Sequence, residues 1–534
     1  MLDYLIKNGT VFDGSGSEPV ETNVGISSDR IVYIGNEDIS AREFIDAKGL
    51  IISPGFIDTH AHSEFTLLAD GRAEGKLSQG VTTEVNGNCG LSAAPLFGEA
   101  FEHREIDLKE LGIKERWSTF GEYFSILKNK GIAINFATLC GHGNIRASII
   151  GYRDIAPDKH EMEEMKRLLV EALGHGAKGI STGLIYPPGV YSTTEELIEL
   201  CKTFEGQGPL NSHVDKSSSR SSYIYASHMR SESDELIEAI DEVVRIGKEA
   251  SAHVHISHIK TAGERNWWKI DNVIKLIEKA RDEGVSLTCD RYPYTAASTD
   301  LDTILPSWVY DGGVEEELRR LKDSDDLKKI KAEIGYKSED YWKGIYISSV
   351  TKSKNKWMEG ESIFDISVKL CKLPVDVLID ILIDERARVG AIFFSMNEDN
   401  LKKFLSLPYV MVGSDSSVRS FSGPTFTGKP HPRAFGSFPK FISKYVRDEG
   451  LMSLSEAIRK MTYLSATTFG LKKRGLIKEG FYADITVFDY ERIIDRSTYR
   501  EPFKMSEGIA YVFVNGTMAL REGEFTGDLS GRII

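Results

Sequence analysis

The stretch Ile51–Glu64, IISPGFIDTHAHSE, decides how the rest of the chain is read. An apolar run rich in isoleucine ends at Asp58 and is followed at once by His60 and His62. Side chains two residues apart in an extended segment share a face, so the two imidazoles project together from the carboxyl end of a strand. A pair of this kind is half of a metal site.

Seven further apolar runs follow: TTEVNGN (82–88), AINFATL (133–139), AKGIST (177–182), YIYASHM (223–229), AHVHISHI (252–259), VSLTCDRY (285–292) and YVMVGSD (409–415). Helical patterns such as EMEEMKRLLVEALG (161–174), DELIEAIDEVVRIGKEA (234–250) and WKIDNVIKLIEKARDEG (268–284) lie between them. Strands alternating with helices build parallel βαβ units, and eight of them predict a (β/α)₈ TIM barrel. Barrel enzymes carry their chemistry at the carboxyl ends of the strands. The runs end at or near His60 and His62, Cys89, His142, Thr182, His228, His258, Tyr292 and Asp415.

Both ends of the chain read differently. LIKNGTVFD and DRIVYIGN near the start, and YADITVFDY and GIAYVFVNGTMAL near the finish, are short alternating strands broken by Gly, Asn and Asp. They predict a small β-sandwich domain assembled from residues 1–54 and 476–534, with the hydrolase barrel at 55–475 between them. Residues 305–350 are a candidate lid insertion, and the polar stretch 206–222 reads as a mobile loop.

Composition narrows the function. A formal net charge of −14 argues against nucleic acid, whose affinity comes from Lys and Arg neutralising phosphates. No apolar run reaches the roughly 18 residues of a membrane span. Asp3 and Lys7 interrupt what would be a secretory signal core, and five dispersed cysteines give no disulfide framework. A cytoplasmic protein is expected, with a small molecule as partner. An anionic substrate would need specific cations in its pocket.

Cys89, His228 and His258 supply a thiolate and two imidazoles, a set that suits Zn²⁺. Asp415, after the last strand, can bind a metal through one oxygen and exchange a proton with water. His253 and His255 fall outside the face shared with His258 and read as structural.

The motifs DTHAH, NGNCG, STGLIYPPG, SHMRSE, ISHIK, DRYPYTA, GSD and PHPRAFGSFPK, with ADITVFD, VFVNG and GEFTG at the close, together resemble the N-acyl-D-amino-acid deacylase (D-aminoacylase) family of the amidohydrolase superfamily. The likeness runs nearly end to end. It implies a tight zinc on Cys89, His228 and His258, and a weaker second site on His60, His62 and Asp415 with Cys89 able to bridge. It also implies metal-bound hydroxide as nucleophile, Asp415 as general base and acid, and a substrate-carboxylate clamp of Lys260, Tyr292 and Arg433. The expected reaction is hydrolysis of an N-acyl-D-amino acid to a carboxylate and a free D-amino acid.

The alternatives are a cyclic amidase, dihydroorotase-like enzyme or dipeptidase, and an inactive barrel serving as a scaffold. A cyclic amidase would call for a carboxylated bridging lysine, and Lys178 stands at the wrong end of its strand for that role.

Overall fold

The computed structural model describes residues 1–37, 39–206 and 223–534. The expected loop at 206–222 therefore lies outside the described residues apart from Gly206, and so does His213.

Each expected run overlaps a strand: Phe56–Asp58, Val81–Asn86, Asn135–Thr138, Gly179–Gly183, Ile224–His228, His253–Ile256, Leu287–Arg291 and Val410–Val412. All are parallel to their neighbours, in two arcs of three and six strands, the second beginning with the short strand Cys140–Gly141. The strands are buried almost throughout, as expected of parallel strands covered on both faces. Helices pack outside. Lys159–Gly174 starts from a capping box between Asp158 and Glu161, and it buries Met165, Leu168, Leu169, Ala172 and Leu173 at helical spacing.

Two seams join the arcs. At one, the Asp415 N–H donates to the His60 carbonyl at 2.8 Å, and Ala61 bridges Ser416. At the other, the Lys178 N–H donates to the Thr138 carbonyl at 2.8 Å. Below that contact the chain's last residues fill the gap: the Phe136 N–H donates to the Arg532 carbonyl at 2.8 Å, and the Ile534 N–H to the Phe136 carbonyl at 2.9 Å. Phe136 and Thr138 present their backbone groups to the same edge of their strand, so the tail and residue 178 share one seam.

The run IISPGFID is not one strand. It divides at Gly55 into Ile51–Pro54, which belongs to the terminal sheet, and Phe56–Asp58, which belongs to the first arc. A side chain at Gly55 would meet Thr82 Oγ1 at 2.2 Å, so only glycine allows the crossing. Ile51–Pro54 pairs parallel with Leu2–Val11 and antiparallel with Ile485–Phe488, and through it the two ends of the chain form one sheet. That sheet is a single hydrogen-bonded unit of nine strands around Ile6, Val24, Ile26, Ile52, Ile485, Val487 and Phe513. Two separately bonded layers are not seen among the described residues.

The excursion after the seventh strand is wider than 305–350. Ala296–Asp300, Ile345–Ser349 and Gly390–Phe394 form an antiparallel sheet, and the helices between them share a core that includes Leu301, Val309, Ile347, Ile363 and Leu378. Its bounds escape a sequence reading because the strands that close it lie about ninety residues apart. No helix among the described residues is long and apolar enough to cross a membrane.

Candidate metal centre and carboxylate clamp

Past each strand end the backbone turns sharply, and three candidate ligands sit in those turns with left-handed backbone: Cys89 at φ 53°, His258 at 34° and Asp415 at 53°. The NGNCG turn depends on Gly87, at φ 74°, where a side chain would lie 2.0 Å from the Leu139 carbonyl. Such conformations cost energy and persist only where surrounding contacts enforce them.

His60, Cys89 and His258 converge. The Cys89 Sγ lies 3.3 Å from His60 Nε2 and 3.4 Å from His258 Nε2. One potential ligand atom from each of the three lies within 4.8 Å of the other two. The same closeness joins His60, His62 and Asp415, with His62 Nε2 at 3.2 Å from Asp415 Oδ1. A third group is His228, Glu232 and His258. The His228 ring lies 4.5 Å from that of His258, and both its nitrogens are buried without a hydrogen-bond partner among the described residues. Orphaned imidazole nitrogens beside a thiolate fit a borderline-soft cation such as zinc.

The electrostatics favour ligand forms. Burial pushes the Cys89 thiol up, but the neighbouring His60 and His258 outweigh it and hold the thiol well below its usual value. Burial likewise acts on Asp415, and Arg433 foremost, with His258 next, holds its carboxyl well below the usual range. Arg433 pairs with Asp415 at 2.9 Å.

Acceptors behind the ligands fix them. Asp290 takes His60 Nδ1 at 3.0 Å, His255 Nε2 at 2.8 Å and the His258 backbone N–H at 2.9 Å. With the Nδ1 proton of His60 donated to Asp290, Nε2 is left free to ligate. His258 Nδ1 lies 2.8 Å from a Glu232 oxygen and 2.8 Å from Lys260 Nζ, and Lys260 pairs with Glu232 in turn. Beneath them a fully buried Lys76 reaches Asp58 at 2.6 Å and Glu84 at 2.8 Å. The other Asp58 oxygen accepts the His60 and Ser414 N–H groups, tying the first strand's turn to the last.

The clamp residues lie alongside. The Tyr292 ring faces Arg433 at 4.7 Å and Lys260 at 5.9 Å. Its buried hydroxyl has no partner among the described residues. Burial raises this phenol, yet Lys260, Arg291 and Arg433 together hold it below its usual value. Tyr294 is engaged elsewhere, with its hydroxyl toward Asp495 at 3.4 Å.

The structure therefore brings His60, His62, Cys89, His228, His258 and Asp415 into three overlapping groups, although the expected trio of Cys89, His228 and His258 is not itself one of them, with Lys260, Tyr292 and Arg433 beside them. His142 is not among them: it is buried against Glu196 at 2.8 Å. Lys178 precedes the fourth strand, whereas the site lies beyond that strand's other end, about 16 Å away at strand rise. Glu232, Asp290 and Lys76 are not among the site residues expected from the sequence. Asp290 was within reach, since it shares a face with Tyr292 two residues on, and Glu232 closes the SHMRSE motif; Lys76 carries no local signal.

The chain matches the amidohydrolase family model over residues 43–206 and 376–519. It is 34% identical to a D-aminoacylase of Alcaligenes xylosoxydans xylosoxydans, over 100% of this chain and 97% of that protein. It is 33% identical to an N-acyl-D-aspartate deacylase of the same organism, over 98% and 93%. Among solved structures, the N-acyl-D-glutamate deacylase of Bordetella bronchiseptica, in complex with zinc and a phosphonate mimic of the tetrahedral intermediate, superposes with a TM-score of 0.82 at 31% identity, covering 100% of this chain and 99% of that one. This protein belongs to the amidohydrolase family, in the branch of the D-aminoacylases and N-acyl-D-amino-acid deacylases.

Proposed function

We propose that the protein hydrolyses the amide bond of N-acyl-D-amino acids, releasing a carboxylate and a free D-amino acid, at the mouth of a barrel closed by the two arcs. One observation carries the reading: a thiolate, imidazole and carboxylate cluster lies against a cationic clamp built on a tyrosine. An N-acyl amino acid has the matching shape, with its scissile amide one carbon from its carboxylate. The D configuration follows the relatives, whose named substrates are D-amino acid derivatives.

Cys89, His228 and His258 would hold a tight zinc, and His60, His62 and Asp415 a weaker second site with Cys89 between the two. Zinc held there supplies a Lewis acid that polarises the acyl carbonyl and makes water more acidic. Asp415 takes the proton of the attacking water and returns it to the leaving amine nitrogen. Lys260, Tyr292 and Arg433 bind the substrate carboxylate, so the amide is oriented toward Asp415 before reaction. The Arg433 contact to Asp415 gives way to the substrate carboxylate as it binds.

Residues 1–54 and 476–534 are taken as two parts of one small β domain, with the hydrolase domain at 55–475 between them. The excursion Ala296–Phe394 acts as its lid. Its rim position is supported by Tyr186, whose ring lies 5.1 Å from that of His228 and whose hydroxyl meets Thr299 at 2.9 Å.

The test is a panel of N-acetyl-D- and N-acetyl-L-amino acids given to zinc-loaded protein, with metal retention measured after gel filtration. Release of amino acid from the D series alone is expected. Turnover of the L series alone would refute the substrate assignment, and a protein that retains no metal would refute the mechanism.

A further inference from the structure

His431 stands outside the metal centre, and none of the roles above uses it. It is 3% exposed and sits two residues before Arg433, at the start of the helix Arg433–Lys440. Its Nδ1 accepts the Arg433 backbone N–H at 3.0 Å, so that nitrogen carries no proton. Its Nε2 then bears the hydrogen and donates it to the Ala296 carbonyl at 3.0 Å. The ring is boxed edge-on by Tyr294 at 5.1 Å and Tyr499 at 5.0 Å. Burial first, and then the Arg433 charge, hold the imidazole well below its usual pKa, which keeps it neutral and in one tautomer.

The Arg433 N–H is one of the donors that a helix's first turn leaves without an internal partner. His431 satisfies it with a ring rather than with the usual hydroxyl or carboxylate. The Arg433 side chain is held from the same direction, with NH2 donating to the Ser298 carbonyl at 3.1 Å. Ala296 and Ser298 are two apart on an edge strand, Ala296–Asp300, whose other edge pairs with Gly390–Phe394. Carbonyls at that spacing point to the same side, so the ring of His431 and the guanidinium of Arg433 occupy successive rungs of the excursion's free edge.

We propose that His431 is a positioning residue that sets the Arg433 guanidinium for the substrate carboxylate by locking the Arg433 backbone to the edge of the Ala296–Phe394 excursion. This rests on the carboxylate clamp proposed above. His431 touches neither substrate nor metal. Seating of the excursion and recognition of the carboxylate are thereby one event, because both hang on the same two carbonyls.

The experiment compares zinc-loaded wild type with His431→Phe and His431→Gln on two substrates, an N-acetyl-D-amino acid and its C-terminal amide, which lacks the carboxylate. His431→Phe keeps a ring but neither hydrogen bond. It should raise KM for the acid roughly tenfold or more, the scale of one misplaced charge-assisted bond, and leave kcat, bound zinc and KM for the amide unchanged. His431→Gln, which offers an acceptor and a donor at nearly the spacing of the two ring nitrogens, should recover most of the loss. Should the Phe variant not fold, His431→Asn reaches the Arg433 N–H but not Ala296, and an intermediate rise in KM confined to the acid is expected. Equal effects on acid and amide, a change in kcat alone, or no change would overturn the proposal. A wild type that does not distinguish acid from amide would overturn the clamp itself and this inference with it.

Discussion

Cys89, His258 and Asp415 combine left-handed backbone with buried or half-buried side chains, which is where strain and function coincide. Each conformation costs about 1 kcal/mol in an L-residue, and the gain is a side chain aimed across the mouth from a strand end. The three differ in what their loss should do. Cys89→Ala removes the thiolate that lies against His60 and His258, and the tight zinc should be lost on dialysis. Asp415→Asn keeps the shape and should retain zinc with turnover abolished. Equal metal retention in both variants would contradict the assigned roles, and elemental analysis beside an activity assay reads the difference. Asp290 acts at one remove. One Asp290 oxygen serves both His60 Nδ1 and His255 Nε2 while the other accepts the His258 N–H, so in Asp290→Asn the amide nitrogen faces either both rings or that backbone donor, and the support of His60 or of His258 is lost. Zinc affinity should fall roughly 10- to 100-fold, measured by competition with a chelator; an unchanged affinity would show that Asp290 only fills space.

The excursion and the terminal tail carry predictions about elements. Glu317 lies in the first turn of the helix Val314–Lys322, is 3% exposed, and has one carboxyl oxygen without a partner among the described residues. Burial, aided by Asp300, pushes its carboxyl up to about 7. Below the ordinary carboxylate value both folded and unfolded chains hold the proton, so nothing is lost there. As pH rises from about 4.5 to 7 the unfolded chain ionises while the folded one does not, and stability falls by about 3 kcal/mol. Glu317→Gln should remove that slope and stabilise the protein at pH 8 but not at pH 4, as denaturant titrations at the two pH values would reveal. The tail is held by hydrogen bonds from the Gly531 and Ile534 N–H groups, from the Arg532 N–H to Asn135 and its guanidinium to Asp29, from Phe136 to the Arg532 carbonyl, and from Asn515 to the Ser530 carbonyl. Deleting residues 530–534 exposes one edge of Asn135–Thr138 and should cost about 3 kcal/mol. A truncated chain with an unchanged denaturation midpoint would show that the seam is closed without it.

Over the whole molecule, the candidate ligands come from five of the eight parallel strands, so zinc binding and folding are linked. A ligand held only by the native state stabilises it by about 4 kcal/mol at a thousandfold excess over its dissociation constant. Chelation should therefore lower the melting temperature reversibly, and Cys89→Ala should melt at one temperature with or without zinc. A zinc response that survives in Cys89→Ala would place the tight site elsewhere.

Strand and helix periodicity is a local property, and the eight parallel runs, the paired face of His60 and His62, and the gathering of candidate ligands at strand ends are legible from spacing alone. Local spacing could not show that the first run splits at Gly55, since the cause is the approach of Thr82. Nor could it show which groups stand behind the ligands: His60 and Asp290 are 230 residues apart, and no pattern in either segment names the other. The choice of Tyr292 over Tyr294, the place of Glu232, the seam filled by the last residues and the rungs held by His431 and Arg433 belong to the same class. Identity and rough position of the chemistry follow from sequence because a strand imposes its own period; orientation, protonation and support follow only from the fold, because they are set by atoms that the chain brings together from far away.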